Sequence, residues 1–295
     1  MRVLLMAMPD IAPRLFSRRL SMPNLALASL AGNAPGHDVW LADLIHVRDM
    51  VRPSVLELLK TYEPQVVGLS AMSFQYDTAL QIAKLIRQTD SSIKMLLGGY
   101  HATLMSEEIV SSEGGKTFDF LLRGEGEKVF GEFLDVLDAR DGLNGTLKDV
   151  RGLSYKDDGG AWHHNARAPI LDLSTLRLPD RSKRVWGHFR FHARGFEVVE
   201  TSRGCTMDCN FCSMRRMYGK TFRTYSLDRV VADLDDIKSR GTGMVLFADD
   251  NITLDTERLG ELCNRIVKEK LNSNIRYIVQ ASSLGIASAP KLPKY

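Results

Sequence analysis

Two patterns of apolar and polar residues alternate over the first half of the chain. Short, nearly continuous apolar runs are separated by segments in which apolar residues recur at the spacing of one helix face, as Leu80, Ala83 and Ile86 do. Near-continuous apolar strands are typical of parallel sheets, because helices cover both faces of such a sheet. The pattern predicts a doubly wound parallel sheet, with strands at 2–8, 37–44, 65–72, 93–99 and within 118–127, and helices at 23–33, 55–62, 76–89 and 127–139.

The same alternation returns near the end of the chain. Ser226 and Gly241 are typical of the first and last positions of a helix. We expect a β/α barrel-like series, in which active groups lie at the carboxyl ends of the strands. The predicted strands are 196–202, 244–251 and 274–283, and the predicted helices are 226–241 and 257–270.

The residues between these two halves show neither long apolar runs nor helical spacing of apolar residues. The sequence DDGG supplies turn residues between two short runs within 151–165, which predicts a β-hairpin. Pro169 and Pro179 then limit regular structure. We therefore predict a first domain at 1–140, a linker with a β-hairpin at 141–195 and a second domain at 196–295.

The loops after the strands of the first domain are candidates for ligand binding. Doubly wound sheets bind ligands at the carboxyl ends of their strands, and Gly98 with Gly99 would let a ligand approach the backbone closely there. A nicotinamide-binding domain would carry G-x-G-x-x-G after its first strand. No glycine precedes Gly32, so that class of domain is rejected.

Three of the four cysteines lie close together, as Cys205, Cys209 and Cys212 in a C-x3-C-x2-C pattern. Clustered thiolates indicate a metal site, because they prefer iron–sulfur clusters, zinc or copper(I). Structural zinc needs four ligands, and no second Cys or His pair has suitable spacing. A disulfide is disfavoured by the odd number of thiols and by the lack of a signal peptide. Cys263 lies in a helical pattern and is interpreted as a core residue.

The cysteine pattern resembles the radical SAM motif CxxxCxΦC, with Phe211 as the aromatic residue. The resemblance implies a 4Fe-4S cluster on three thiolates, whose open iron chelates S-adenosylmethionine (SAM), with Phe211 beside the adenine. FADDN resembles a SAM-binding strand end of that family, which implies SAM contacts from Asp249 and Asp250. Capping of the next helical element is an equal alternative for this pair. Arg223 resembles a recurring arginine of the family that follows the cysteine loop.

The first domain resembles the cobalamin-binding, flavodoxin-like domain that precedes many radical SAM domains. GLSAMS, GGYHAT and RGEGE match its ligand segments in order. No histidine precedes His37, so no imidazole of the first loop would ligate cobalt. An empty or vestigial flavodoxin-like domain is the alternative. The resemblance implies cobalamin contacts from Pro9, Ser70, Met72, Ser73, Gly98, Gly99, His101, Gly124, Glu125 and Gly126.

Composition adds only broad limits to this interpretation. The sequence is 44% hydrophobic and 25% charged, and its net charge of +3 is too small to indicate nucleic-acid binding. No apolar run reaches about 18 residues, so no membrane span is expected. The first residues lack a signal-peptide cleavage site, which favours a reducing cytoplasm.

Together these features predict a cobalamin-dependent radical SAM enzyme, most simply a carbon methyltransferase, with a small-molecule substrate and a flavodoxin or ferredoxin as electron donor. A cobalamin-dependent cyclase or ring-rearranging enzyme is an alternative. A non-catalytic cofactor-binding protein is another, favoured if the protein ends at Tyr295. A methylthiotransferase is disfavoured, because no cysteine precedes Cys205. Radical SAM barrels have six β/α units, so the three predicted here indicate a partial barrel and a fragment of a longer chain.

Overall fold

A computed structural model describes residues 1–9, 21–139, 146–191 and 194–288. The chain divides into two compact units. The first is built from residues 1–9 with Ala26–Leu171 and Leu176–Gly187, and the second mainly from residues 188–288. Across the described ranges, no helix combines the length and the apolar character needed to span a bilayer.

A seven-stranded sheet forms the centre of the first unit. Its strands are β1 (Arg2–Ala7), β2 (Asp38–Asp43), β3 (Val66–Ser70), β4 (Lys94–Gly98), β5 (Phe120–Leu122), β6 (Leu153–Lys156) and β7 (Trp162–His164). The strand order is β2-β1-β3-β4-β5-β6-β7, and the first five strands are parallel. The helices are α1 (Leu25–Gly32), α2 (Val51–Tyr62), α3 (Tyr76–Thr89), α4 (Tyr100–Leu104), α5 (Ser106–Val110), α6 (Glu113–Thr117) and α7 (Gly126–Asp138).

Side chains of β1 show how both faces of this sheet are covered. Leu4 and Met6 belong to a buried cluster with apolar residues of α2 and α3. Val3 and Leu5 belong to a second cluster with apolar residues of α1 and α7. Successive residues of a strand point to opposite faces, so helices lie on both sides. The predicted doubly wound parallel sheet is confirmed, whereas α4, α5 and α6 were not predicted.

The predicted hairpin is present, but it extends the first sheet. β6 pairs antiparallel with β5, in the register Phe120↔Tyr155 and Leu122↔Leu153, and β7 pairs with β6. Leu153 and Tyr155 are buried in the same cluster as Phe120. The hairpin therefore covers what would otherwise be an exposed edge at β5, and it is not a separate spacer.

The segment that follows the hairpin also returns to the first unit. Within Leu176–Gly187, the backbone N–H of Asp180 donates to the carbonyl oxygen of Ala28 at 2.8 Å. A Cβ atom on Gly32 would lie 2.1 Å from the carbonyl oxygen of Leu178, so only glycine permits this approach. The division between the two units therefore falls near residue 188, and most of the described part of the segment predicted as a linker belongs to the first unit.

The second unit holds a smaller, mainly parallel sheet. Its elements are β8 (Arg190–Phe191), β9 (Arg194–Val199), β10 (Ser202–Arg203), α8 (Met214–Tyr218), β11 (Arg223–Thr224), α9 (Leu227–Ser239), β12 (Met244–Phe247), α10 (Thr256–Lys268), β13 (Arg276–Val279) and α11 (Ser283–Ser288). The order is β13-β12-β9-β8, with β9, β12 and β13 parallel. Ser226 caps α9 as predicted, by accepting from the N–H of Arg229 at 3.3 Å. The predicted β/α series is therefore confirmed.

Candidate functional site

The cysteine sequence forms a loop between two short antiparallel strands. β10 and β11 pair in the register Ser202↔Thr224 and so close residues 204–222 as a loop. The sequence predicted that one strand would run to residue 202. Instead, β9 ends at Val199, and the ribbon of β10 and β11 presents the loop.

The three thiols differ in exposure but all are free. Cys205 is half-buried, Cys209 and Cys212 are exposed, and Phe211 between them is 93% exposed. The described ranges contain no group of three or more His, Cys, Asp or Glu side chains arranged as a metal site, so the thiols are not drawn together. The donor set still fits an iron–sulfur cluster, because three free thiols share one short, exposed loop.

Cys263 lies apart from this loop, on α10. It is half-buried, and burial raises the pKa of its thiol. A raised pKa disfavours the thiolate form that binds metal. This environment supports the interpretation of Cys263 as a packing residue.

Asp249 follows β12 and is fully buried. One carboxylate oxygen accepts from the backbone N–H of Thr201 at 2.7 Å, and the other from the Thr201 hydroxyl at 2.5 Å. The Ser202 hydroxyl also donates to that second oxygen. Burial raises the pKa of Asp249, although these hydrogen bonds oppose the rise. The carboxylate is directed at the base of the cysteine loop, and its predicted contact with SAM stays a prediction.

Asp250 lies beside the same loop. Its carboxylate accepts from the backbone N–H of Gly204 at 2.8 Å, and burial raises its pKa. The helix-capping alternative applies to other residues. Asn251 accepts from the N–H of Thr253 at 3.2 Å, and Asp255 accepts from the N–H of Arg258 at 2.9 Å to cap α10.

Arg223, the predicted family arginine, begins β11 at the end of the cysteine loop. Its guanidinium lies 5.8 Å from the centre of the Tyr218 ring. Close by, Glu200 accepts from Arg203 at 2.7 Å and from the Tyr225 hydroxyl at 3.0 Å. These contacts tie the strand before the loop to the residue after it.

In the first unit, the predicted ligand segments meet at one edge of the sheet. Ser70 and Gly98 end β3 and β4 and stand opposite each other. Gly99 has φ of 91° and ψ of −166°, a combination that only glycine adopts readily. A Cβ atom there would lie 2.9 Å from the carbonyl oxygen of Ala71. Gly99 is therefore required by the backbone path itself.

His101 lies above this edge on α4. Its backbone N–H donates to the carbonyl of Ala71 at 3.1 Å, and its Nδ1 is 3.3 Å from the Ser73 hydroxyl. The ring packs against Tyr76 with centroids 4.1 Å apart, and burial lowers the pKa of the imidazole. Met72, which precedes Ser73 in the chain, is 40% exposed. The sequence-predicted Met72, Ser73 and His101 are thus neighbours.

Thr103 connects the two glycine loops, although the sequence did not single it out. Its hydroxyl donates to the carbonyl of Gly99 at 2.9 Å and accepts from the N–H of Gly124 at 2.9 Å. Gly124 has φ of 86°, and a Cβ atom there would meet nothing within 4 Å. The only sequence signal for this role of Thr103 is its place as the last residue of GGYHAT.

The remaining predicted cobalamin contacts are more enclosed. Glu125 is buried and accepts from the N–H of Leu171 at 2.9 Å, so its carboxylate is directed into the protein. Gly126 begins α7, and Pro9 is buried after β1. The rest of the first loop, residues 10–20, lies outside the described residues.

The thiol loop on a parallel β/α unit and the glycine-rich edge on a doubly wound sheet are two candidate cofactor-binding regions. Two family models match the corresponding parts of the chain. The B12 binding domain matches residues 14–134, and the Radical SAM superfamily matches residues 199–291. The chain belongs to the radical SAM proteins that carry an amino-terminal B12-binding domain.

Individual relatives agree with this assignment. An uncharacterised methyltransferase of Pyrococcus horikoshii is 30% identical over 252 residues, which are 85% of this chain and 53% of that protein. An anaerobic magnesium-protoporphyrin IX monomethyl ester cyclase of Cereibacter sphaeroides is 24% identical, over 81% of this chain and 39% of that protein. The chain therefore spans about half or less of the length of these relatives.

A solved structure has the same fold. The cobalamin-dependent SAM radical enzyme OxsB, with aqua-cobalamin and SAM bound, superposes with a TM-score of 0.71 at 21% identity. The match covers 90% of this chain and 37% of that protein.

Proposed function

We propose that this chain forms the cofactor-binding part of a cobalamin-dependent radical SAM enzyme that methylates a carbon atom of a small-molecule substrate. The observation that carries the proposal is the presence, in one chain, of an exposed three-thiol loop and a glycine-rich ligand edge, each on the type of sheet expected for it. When bound, the cluster with SAM supplies a substrate-activating radical, and cobalamin supplies the methyl group.

In the second unit, Cys205, Cys209 and Cys212 would hold the 4Fe-4S cluster and leave one iron open for SAM. The free, largely exposed state of these thiols supports this role. Phe211 would lie against the adenine, and the exposure of its ring supports such a contact. Arg223 would contact SAM from the end of the loop, where β11 begins.

In the first unit, the edge that contains Ser70, Gly98, Gly99 and Gly124 would hold cobalamin. The glycines leave the backbone accessible, and Phe74, which is 63% exposed, adds apolar surface beside them. The sequence offers no histidine before His37, so cobalt would receive no imidazole from the first loop.

Ring formation without net methyl transfer is the second candidate. It is favoured by the similarity to the cyclase, which is comparable in coverage of this chain to the similarity with the methyltransferase. The two reactions differ in the fate of the SAM methyl group. With methyl-labelled SAM, a methyltransferase would give a labelled product. S-adenosylhomocysteine and 5′-deoxyadenosine would form alongside it. If 5′-deoxyadenosine forms with turnover and no label enters the product, the cyclase function replaces the methyltransferase.

Cofactor content tests the proposal before a substrate is known. Anaerobic reconstitution should give about four irons per chain, carried by three thiolates. Added cobalamin should bind in the base-off form, without nitrogen superhyperfine splitting from a histidine in the cob(II)alamin EPR spectrum. A protein that binds neither iron nor cobalamin would contradict the proposal.

We also propose that a flavodoxin or ferredoxin in a reducing cytoplasm supplies the electron. The exposed side chains of Arg215, Arg216 and Lys220 lie in the cysteine loop after Cys212, and a basic surface favours encounter with acidic carriers. Reduction by such a carrier should slow markedly as ionic strength rises. A rate that is independent of salt would contradict this surface as the encounter site.

A further inference from the structure

The base of the cysteine loop is organised around Thr201, a fully buried residue whose polar groups all have partners. Its N–H and hydroxyl both donate to Asp249, at 2.7 and 2.5 Å. The hydroxyl also accepts from Nη1 of Arg258 at 3.3 Å. The carbonyl oxygen accepts from Nη2 of Arg258 at 3.1 Å and from the N–H of Tyr225 at 3.0 Å. Thr201 therefore joins a buried carboxylate to a guanidinium.

Arg258 holds both ends of the loop at once. It lies on α10, and its Nη2 donates to the carbonyl of Tyr225 at 2.7 Å as well as to that of Thr201. Thr201 precedes β10 and Tyr225 follows β11, so one guanidinium joins the chain entering the loop to the chain leaving it. Such a planar group with several donors suits this double contact.

The network continues to the first cysteine. The Ser202 hydroxyl donates to Asp249, and the N–H of Gly204, next to Cys205, donates to Asp250. Buried charges are stable only when each keeps its partners, because an unpaired buried charge is costly. Loss of one member should therefore weaken the others, and the network should act as a unit.

We propose that the buried Thr201 and Asp249 and the half-buried Arg258 form a clamp that positions the cysteine loop for its iron–sulfur cluster, and that Asp249 acts as a positioning residue and not as a contact of SAM. The inference rests on the proposed function, since it assumes a cluster on Cys205, Cys209 and Cys212. The thiol loop itself is exposed, so ordering it around a cluster costs conformational entropy. If the clamp fixes the two ends of the cysteine loop before the cluster binds, that cost is smaller.

The Thr201 side chain offers a matched pair of variants. Thr201→Val keeps the shape and removes the hydroxyl, whereas Thr201→Ser keeps the hydroxyl. Leu262→Ala is the control, because Leu262 is a fully buried side chain of α10 outside the clamp. Each variant of the intact protein is reconstituted anaerobically, and iron content, the rate of iron loss to a chelator and the Kd for SAM are measured.

The clamp predicts that Thr201→Val and Asp249→Asn lose iron about tenfold faster than the wild type, because a loop that is held less firmly should retain its cluster less well. This factor is at the lower end of the roughly 10- to 100-fold loss of metal affinity that follows when groups supporting metal ligands are removed. Thr201→Ser should resemble the wild type. Leu262→Ala should melt at a lower temperature but lose iron at the wild-type rate. The double variant Thr201→Val with Asp249→Asn should be no worse than the worse single variant, because both remove one network.

Two outcomes would overturn the clamp. One is normal iron retention in both Thr201→Val and Asp249→Asn. The other is a SAM Kd raised about tenfold by Asp249→Asn alone, with normal iron retention, which would make Asp249 a SAM contact. If Asp249→Asn does not fold, the Thr201 pair decides the question by itself. A wild type that takes up no iron would instead contradict the proposed function.

Discussion

The ligand edge of the first unit and the cysteine loop of the second are built in different ways. At the first, the ends of β3 and β4 stand in register, and the path of the backbone around Gly99 forms the surface. At the second, the functional residues lie on a loop closed by the β10–β11 ribbon, and the buried Asp249 and the half-buried Arg258 hold the base of the loop.

This difference shows two ways of using the carboxyl end of a parallel sheet. The first region relies on glycine conformation and on one hydroxyl, that of Thr103, so a small change of backbone shape should be its most sensitive perturbation. The second relies on a charged side-chain network and three thiols, so loss of a single functional group should be its most sensitive perturbation.

The largest expected effect is on iron binding. Cys209→Ala should abolish cluster formation, because a cluster held by three thiolates cannot lose one and keep its site. Cys263→Ala is the matched control and should leave iron content unchanged, since its half-buried thiol has a raised pKa. Iron analysis after anaerobic reconstitution checks both. Equal loss in the two variants would refute the packing role of Cys263.

The next effect is expected at Gly99. Gly99→Ala should cost on the order of 1–3 kcal/mol of stability and weaken cobalamin binding, because alanine is strained at this φ and ψ and would meet the Ala71 carbonyl. Gly36→Ala is the control, since a Cβ atom there meets nothing within 4 Å and no positive φ is involved. Thermal unfolding and cobalamin titration measure both effects. A tolerated Gly99→Ala would show that backbone shape does not limit this region.

A smaller effect is expected at Thr103. Thr103→Val removes the hydroxyl that joins Gly99 to Gly124 and should cost about 1 kcal/mol. The Kd for cobalamin should rise, because the two glycine loops lose their common partner. Thr103→Ser should restore both values. Cobalamin binding by Thr103→Val that matches the wild type would remove Thr103 from the ligand edge.

The smallest effect concerns pH, and its sign differs between the two regions. Burial lowers the pKa of His101, so the unfolded state binds more protons between that lowered pKa and the ordinary one. Stability should rise with pH in that window. Burial raises the pKa of Asp249, so the folded state binds more protons above the ordinary carboxyl pKa, and stability should fall as pH rises to the raised value.

Unfolding of the apo-protein at several pH values separates these contributions. His101→Gln should remove the rise and leave the fall, whereas Asp249→Asn should reduce the fall, to which Asp250 also contributes, and leave the rise. A His101→Gln variant that keeps the rise would show that another group causes it.

The sequence predicted most of the fold because the relevant signals are local. Near-continuous apolar runs marked β1 to β4, and a capping serine at 226 marked α9. The strand with which the hairpin pairs was not predictable from local signals. The sequence indicated that its strands belong to a linker. The pairing of β6 with β5, and the burial of Leu153 and Tyr155 with Phe120, show that they complete the first sheet.

The candidate site was predictable where a motif carries the chemistry. Cys205, Cys209 and Cys212 follow from their spacing, and the glycines from their positions after strands. The partners that hold these segments were not predictable, because they are distant in sequence. Thr201 meets Arg258 across 57 positions, and no local pattern marks either residue.

The proposed function assigns cobalamin to the first unit and the iron–sulfur cluster to the second. The most direct measurement is the iron and cobalamin content of Cys209→Ala and Gly99→Ala, reconstituted anaerobically with both cofactors in parallel with the wild type. We predict that Cys209→Ala keeps cobalamin and loses iron, and that Gly99→Ala keeps iron and retains less cobalamin than the wild type. Loss of both cofactors in each variant, or a wild-type cobalamin content in Gly99→Ala, would contradict this assignment.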